Sequence, residues 1–180
     1  MNEDLRRASP SVPDGYELRE GPPSIAAFRR IRESAGMTDR PPAALERGLP
    51  NTTYGVHVVY HGTDTGVAED VASDDGVADD VDDSGMTDDA DEDERTVAMA
   101  RIVGDGGTAF LIVDVAVEEA HQGKGLGTAT VDALMDWLCE HAPPGGFVYL
   151  LADVDGFYER WGFEHSAPAS KGMWIRTGEL

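Results

Sequence analysis

The sequence predicts an α/β (α+β) fold in a single domain spanning residues 1–180, and three observations carry that prediction. Helical and strand periodicities alternate along the chain. Two strand patterns meet across a glycine-rich turn as an antiparallel hairpin, and the second of them runs through another glycine-rich turn into a long amphipathic helix. A length of 180 residues with 41% apolar side chains is enough for one core.

Tyr16 to Arg19 has the composition of a first strand. Ser24 is placed to cap a helix whose Ile25, Phe28, Ile31 and Ala35 share one face and which Gly36 ends. A shorter helix is expected over Ala43 to Arg47, after the Pro41, Pro42 pair. Tyr54 to Tyr60 is a valine- and tyrosine-rich strand. Thr96 to Val103 and Ala109 to Val117 flank Gly104, Asp105, Gly106 and Gly107 and form the hairpin. The long helix carries Leu126, Thr130, Leu134, Trp137 and Leu138 on one side and ends at Pro143, Pro144, Gly145 and Gly146, before a strand over Phe147 to Ala152.

Charge excludes several functions. The formal net charge is -21, and residues 63 to 95 alone hold 15 acidic side chains against one arginine. Nucleic acid, which demands a basic surface, is excluded as a ligand. Twelve arginines against two lysines, Lys124 and Lys171, fit a protein of a high-salt cytoplasm, where like-charge repulsion is screened. The 63–95 stretch contains an imperfect repeat from Gly66 and Gly76 and lacks the large apolar residues needed to offset chain entropy, so a disordered acidic insertion between two strands is expected. Its Asp89, Asp91, Asp93 spacing misses the glycine and glutamate of a calcium loop, because Glu94 and Ala100 stand there. No apolar run reaches the roughly 20 residues of a membrane helix, and no secretory signal opens the chain, which implies a cytoplasmic protein without a membrane partner. One cysteine, Cys139, rules out an internal disulfide and a thiolate cluster. It is expected as a buried structural thiol. His57 and His61 would be roughly 13 Å apart on a strand, too far to share a metal.

The chemistry concentrates where FLIVDVAV runs into Glu118, Glu119, Ala120 and His121, and then into Gln122-Gly123-Lys124-Gly125-Leu126-Gly127-Thr128. Glycines at a helix start let backbone N–H groups approach an anion, and the helix dipole adds positive potential. Lys124 is followed by glycine instead of Ser or Thr, so the loop is no P-loop, and glycines at 123, 125 and 127 do not fit the dinucleotide spacing. The run from Gln122 resembles the coenzyme A signature Q/R-x-x-G-x-G/A of the GNAT superfamily of N-acetyltransferases. Val115-Ala116-Val117 resembles that family's pantetheine-pairing strand, and Phe157 to Phe163, FYERWGF, resembles the helix that closes its acyl-CoA cleft.

The resemblance implies a central mixed, mostly antiparallel twisted sheet of 6–7 strands, splayed in a V between strands 4 and 5 and flanked by about four helices. It implies acetyl-CoA as co-substrate, with no metal, and direct transfer of the acetyl group to a primary amine of a small molecule. Pantetheine amides would bond at Val115, Ala116 and Val117, and pyrophosphate at the backbone from Gln122 and Gly123 through Lys124, Gly125, Leu126 and Gly127 to Thr128. Tyr158 stands where the family places the acid that protonates the leaving thiolate.

For the base, Asp114 is a candidate if its side chain leaves the face of Val113 and Val115 and enters the acceptor side, with a carboxylate bonded to backbone or water as the other reading. Glu118, His57 and His165 are further candidates, and ordered water is an alternative to all of them. Leu151 to Gly156 lacks the asparagine many relatives carry before the Phe-Tyr pair. Met173 and Trp174 belong to an expected last strand, either lining the acceptor pocket or packed in the core. A non-catalytic acyl-CoA-binding module, a protein N-terminal or lysine acetyltransferase, and a homodimer stay open.

Overall fold

The computed structural model describes residues 10–62, 95–173 and 176. The expected acidic insertion, but for Arg95, and Trp174 lie outside the described residues. Strands β1 (Tyr16–Glu20), β2 (Tyr54–Tyr60), β3 (Thr96–Gly104), β4 (Ala109–Val117) and β5 (Phe147–Tyr149) form one sheet in sequential order. The first three neighbouring pairs are antiparallel and β4–β5 is parallel, which makes the sheet mixed and mostly antiparallel. Helices α1 (Ile25–Ser34), α2 (Pro42–Gly48) and α3 (Leu126–His141) accompany it. Five strands and three α-helices among the described residues are fewer than expected, because β5 stops at Tyr149 and no strand follows it there.

Local chemistry accounts for the elements. The Ser24 hydroxyl accepts from the Ala27 N–H at 3.2 Å, which starts α1. Phe28 and Ile31 are buried, and Ile25 and Ala35 pack beside them, as the spacing predicts. Their cluster includes Leu45 and Leu49 from the α2 region and Met99 and Ala116 from the sheet. Leu126 of α3 instead clusters with Val58, Val97 and Ala98. Met99 and Ala98 are consecutive on β3, so α1 and α2 cover one face of the sheet and α3 covers the other. In the hairpin turn, one Asp105 oxygen accepts from the N–H groups of Gly107, Thr108 and Ala109, and the other accepts from the Thr108 hydroxyl. Those donors hold the Asp105 carboxyl well below the usual carboxylate range.

The chain divides into two compact units, Met1–Leu150 and Leu151–Leu180. The first contains the sheet and all three helices. In the second, the FYERWGF stretch forms a single 3-10 turn over Glu159–Trp161, closed by Gly162, where a longer helix was expected. Ring packing dominates there: Phe157 lies 4.9 Å from Tyr158 and 5.1 Å from Trp161 between centroids, and Trp161 is buried.

Candidate active site

Strand β4 is irregular in two ways that matter for chemistry. It pairs with β5 only over Ala109, Phe110 and Leu111, so its edge from Ile112 to Val117 has no strand beside it among the described residues. The sheet opens there, at the place expected for the splay between strands 4 and 5. On the opposite edge, Met99 pairs with Ala116 and Arg101 with Val113, which leaves Asp114 and Val115 facing Ala100 alone. That is a β-bulge, and Asp114 supplies its left-handed residue with φ 55°.

The bulge decides where Asp114 points. Strict alternation would separate Asp114 from Val113, but both line one cavity of about 250 Å³ on the α1 and α2 face, because the extra residue breaks the period of two. The Asp114 carboxylate does not stand free in that cavity. One oxygen accepts from the Arg32 Nη1 at 2.5 Å, and the other accepts from Arg101 Nε and Nη2 at 2.9 and 2.6 Å. Arg32, Arg101 and Asp114 side chains are only 4%, 11% and 8% exposed. Arg32 also donates to the Thr38 carbonyl, Arg101 donates to the Thr52 hydroxyl, and both guanidiniums lie over the buried Phe28 ring. Burial lowers the Arg32 guanidinium from its ordinary value, and Asp114 works against that shift. Sequence reading missed both arginines. The signal was an arginine inside the apolar TVAMARIV strand, adjacent in the hairpin to an aspartate inside FLIVDVAV.

Downstream, β4 leads through a 3-10 turn, Glu119–His121, into the glycine loop and α3. The Gln122 amide donates to the Val117 carbonyl at 3.1 Å, tying the loop to the end of the strand. Gly123 and Gly125 have φ 74° and 84°, and Gly125 is the N-cap of the 16-residue α3 without any capping side chain. Such a start leaves the first-turn N–H groups without acceptors within the helix and turns them outward. Lys124 donates to the Tyr16 hydroxyl at 3.1 Å and to the Ala120 carbonyl at 3.2 Å, and Tyr16 also bonds to His121 at 2.9 Å. The Tyr16, Tyr60 and His121 rings pack together beside the loop, a support that no spacing along the chain suggests. The open β4 edge, the two left-handed glycines and the uncapped helix start suit an extended molecule that carries an anion.

Other expected residues are placed as follows. Tyr158, in the second unit, is half-buried, and burial, with the charge of Asp153 second, raises its phenol from its ordinary value. Glu118 pairs with Arg30, whose guanidinium also donates to the Thr96 carbonyl, and burial raises the Glu118 carboxyl. His57 bonds to the Gly21 carbonyl and His61 to Glu17, so each has its own partner. His165 and Met173 are exposed. Cys139 corrects its expectation: it is exposed, one step past the buried Leu138 and off the face that packs. No helix among the described residues is long and apolar enough to cross a membrane.

Comparison with known proteins supports the fold reading and a domain type. Residues 90–165 match the acetyltransferase (GNAT) domain model. A serotonin N-acetyltransferase from the rice chloroplast is 38% identical over 79 residues, 44% of this chain and 40% of the rice protein. The chain therefore spans less than half the length of that curated relative. A crystal structure from meticillin-resistant Staphylococcus aureus, titled a probable acetyltransferase, aligns with TM-score 0.67 and 27% identity over 89% of this chain and 98% of that one. A Brucella melitensis GNAT acetyltransferase in complex with acetyl-CoA shares the fold at TM-score 0.51 and 17% identity, covering 83% of each chain. The protein has a GNAT-like α/β fold, and these matches support a GNAT acetyltransferase domain.

Proposed function

We propose that the protein transfers an acetyl group directly from acetyl-CoA to the primary amine of a small molecule. The observation that carries this reading is the β4 strand, open along one edge at Ile112–Val117 and leading into a glycine loop that starts α3. In this reading the backbone at Val115, Ala116 and Val117 bonds to the pantetheine amides. Residues Gln122 to Thr128 present their N–H groups to the pyrophosphate, with the Lys124 ammonium close by.

Transfer needs a neutral amine, a polarised thioester and a proton for the departing thiolate. Tyr158 supplies that proton; its place in FYERWGF and a phenol kept protonated by burial support the role. Both Asp114 oxygens already accept from guanidiniums, so Asp114 serves here to hold the bulge, and ordered water takes the amine proton. The cavity beside the bulge receives the acceptor, and its volume of about 250 Å³ suits a small molecule. Thiol release from acetyl-CoA across an amine library tests the reading. Amine-dependent release is expected, and release no faster than without protein would contradict it.

A further inference from the structure

The cavity beside the β4 bulge has a charge opposite to that of the protein as a whole. The chain carries a formal charge of -21, which by itself favours cationic acceptors such as polyamines. The cavity is lined by Arg40 and Arg101, and its single lining carboxylate, Asp114, is held between Arg101 and the buried Arg32. Three guanidiniums thus stand around one carboxylate. The adjacent Asp39 does not offset them, because both its oxygens accept from Arg29 at 3.0 and 2.8 Å. Bulk attraction for cations from distant acidic residues is screened over about 8 Å at physiological salt, whereas the arginines lie at the cavity itself. Apart from Gly48, the remaining lining, Phe28, Ala44, Leu45, Leu49, Val103 and Val113, presents apolar side chains and would strengthen a charge contact made beside it.

We propose that the acceptor amine also carries an oxyanion, a carboxylate or phosphate, and that Arg40 is the residue that selects it. Arg101 is committed to Asp114 and Thr52, while Arg40 is exposed just before α2 and its guanidinium makes no hydrogen bond or ion pair among the described residues. Its planar fork suits a two-oxygen anion. This inference rests on the acetyl-transfer reading and narrows its acceptor.

The test compares acetyl-CoA-dependent thiol release for matched amines: β-alanine against β-alaninamide, phosphoethanolamine against ethanolamine, and putrescine as the cationic control. Within at least one pair, kcat/KM should favour the anionic member by on the order of tenfold or more, and putrescine should be poor. Arg40→Gln should bring that ratio near unity, and Arg40→Lys should restore part of it. Preference for neutral or cationic amines, or a ratio unmoved by Arg40→Gln, would overturn the proposal. If no amine supports release, the transfer reading falls. Calorimetric titration of the same pairs onto protein saturated with coenzyme A then decides the pocket's preference: tighter binding of an anionic member upholds it, and equal or absent binding refutes it.

Discussion

Tyr158 and Asp114 separate two ways in which a single side chain can serve a reaction. A phenol that donates a proton contributes on the order of 10²-fold or more to rate, so Tyr158→Phe should lower kcat by at least that while acetyl-CoA affinity stays within about twofold. Because burial raises the phenol from its ordinary value, Tyr158 keeps its proton through the neutral and mildly alkaline range, and wild-type kcat should not fall there. Full turnover in Tyr158→Phe across that range would remove the acid role. Asp114 should behave differently. Asp114→Ala strips the partner from two guanidiniums only 4% and 11% exposed, which should destabilise the fold by about 3–5 kcal/mol in chemical denaturation. A variant within about 0.5 kcal/mol of wild type would show that the arginines find other partners or water. At this scale the sequence showed which residues carry chemistry but not how they face. Asp114 is a candidate base only if strict alternation holds, and a bulge is set by one left-handed residue that leaves no mark in a hydrophobic pattern.

The elements were the most legible part of the chain. The ranges of β2 and β4 were read in full and α1 with its Ser24 cap nearly so, because period-2 and period-3.6 patterns and caps are local signals. The shortfall lies where locality fails. Phe147 to Ala152 gave only a three-residue strand, and FYERWGF a single 3-10 turn, since strand ends depend on neighbours distant in sequence. The glycine loop was legible as an anion site, although its support by Tyr16, Tyr60 and His121 was not, because those contacts span more than sixty residues. The loop makes its own prediction. A methyl group at Gly125 meets no atom within 4 Å, so Gly125→Ala adds only the strain of a left-handed backbone, about 1–2 kcal/mol. A modest loss, about 2–4 °C in Tm per kcal/mol, should accompany at least tenfold weaker acetyl-CoA binding, because the shifted N–H groups no longer match the pyrophosphate. Unchanged affinity would place the pyrophosphate elsewhere.

At the scale of the whole molecule, charge and chemistry are separated. Most of the negative charge lies in residues 63 to 95, whereas the open strand, the glycine loop and the arginine-lined cavity come from other segments. The flanking strands β2 and β3 pair antiparallel, with Val59 opposite Thr96, so a short turn can replace the intervening segment at little entropic cost. Deleting residues 64 to 93 should leave acetyl-CoA binding within about threefold and the cooperative unfolding transition intact, whereas loss of either would show that the segment packs on the domain. Under the proposed function, this fold holds acetyl-CoA and passes its acetyl group to an amine. The most direct measurement is a parallel assay of thiol release and product mass, with acetyl-CoA and an amine library that includes carboxylated and phosphorylated members. Thiol release that depends on both protein and amine, matched by an equal yield of N-acetylated amine, is the predicted result. Acetyl-CoA binding without any acetylated amine would contradict it and leave a coenzyme-binding module in its place.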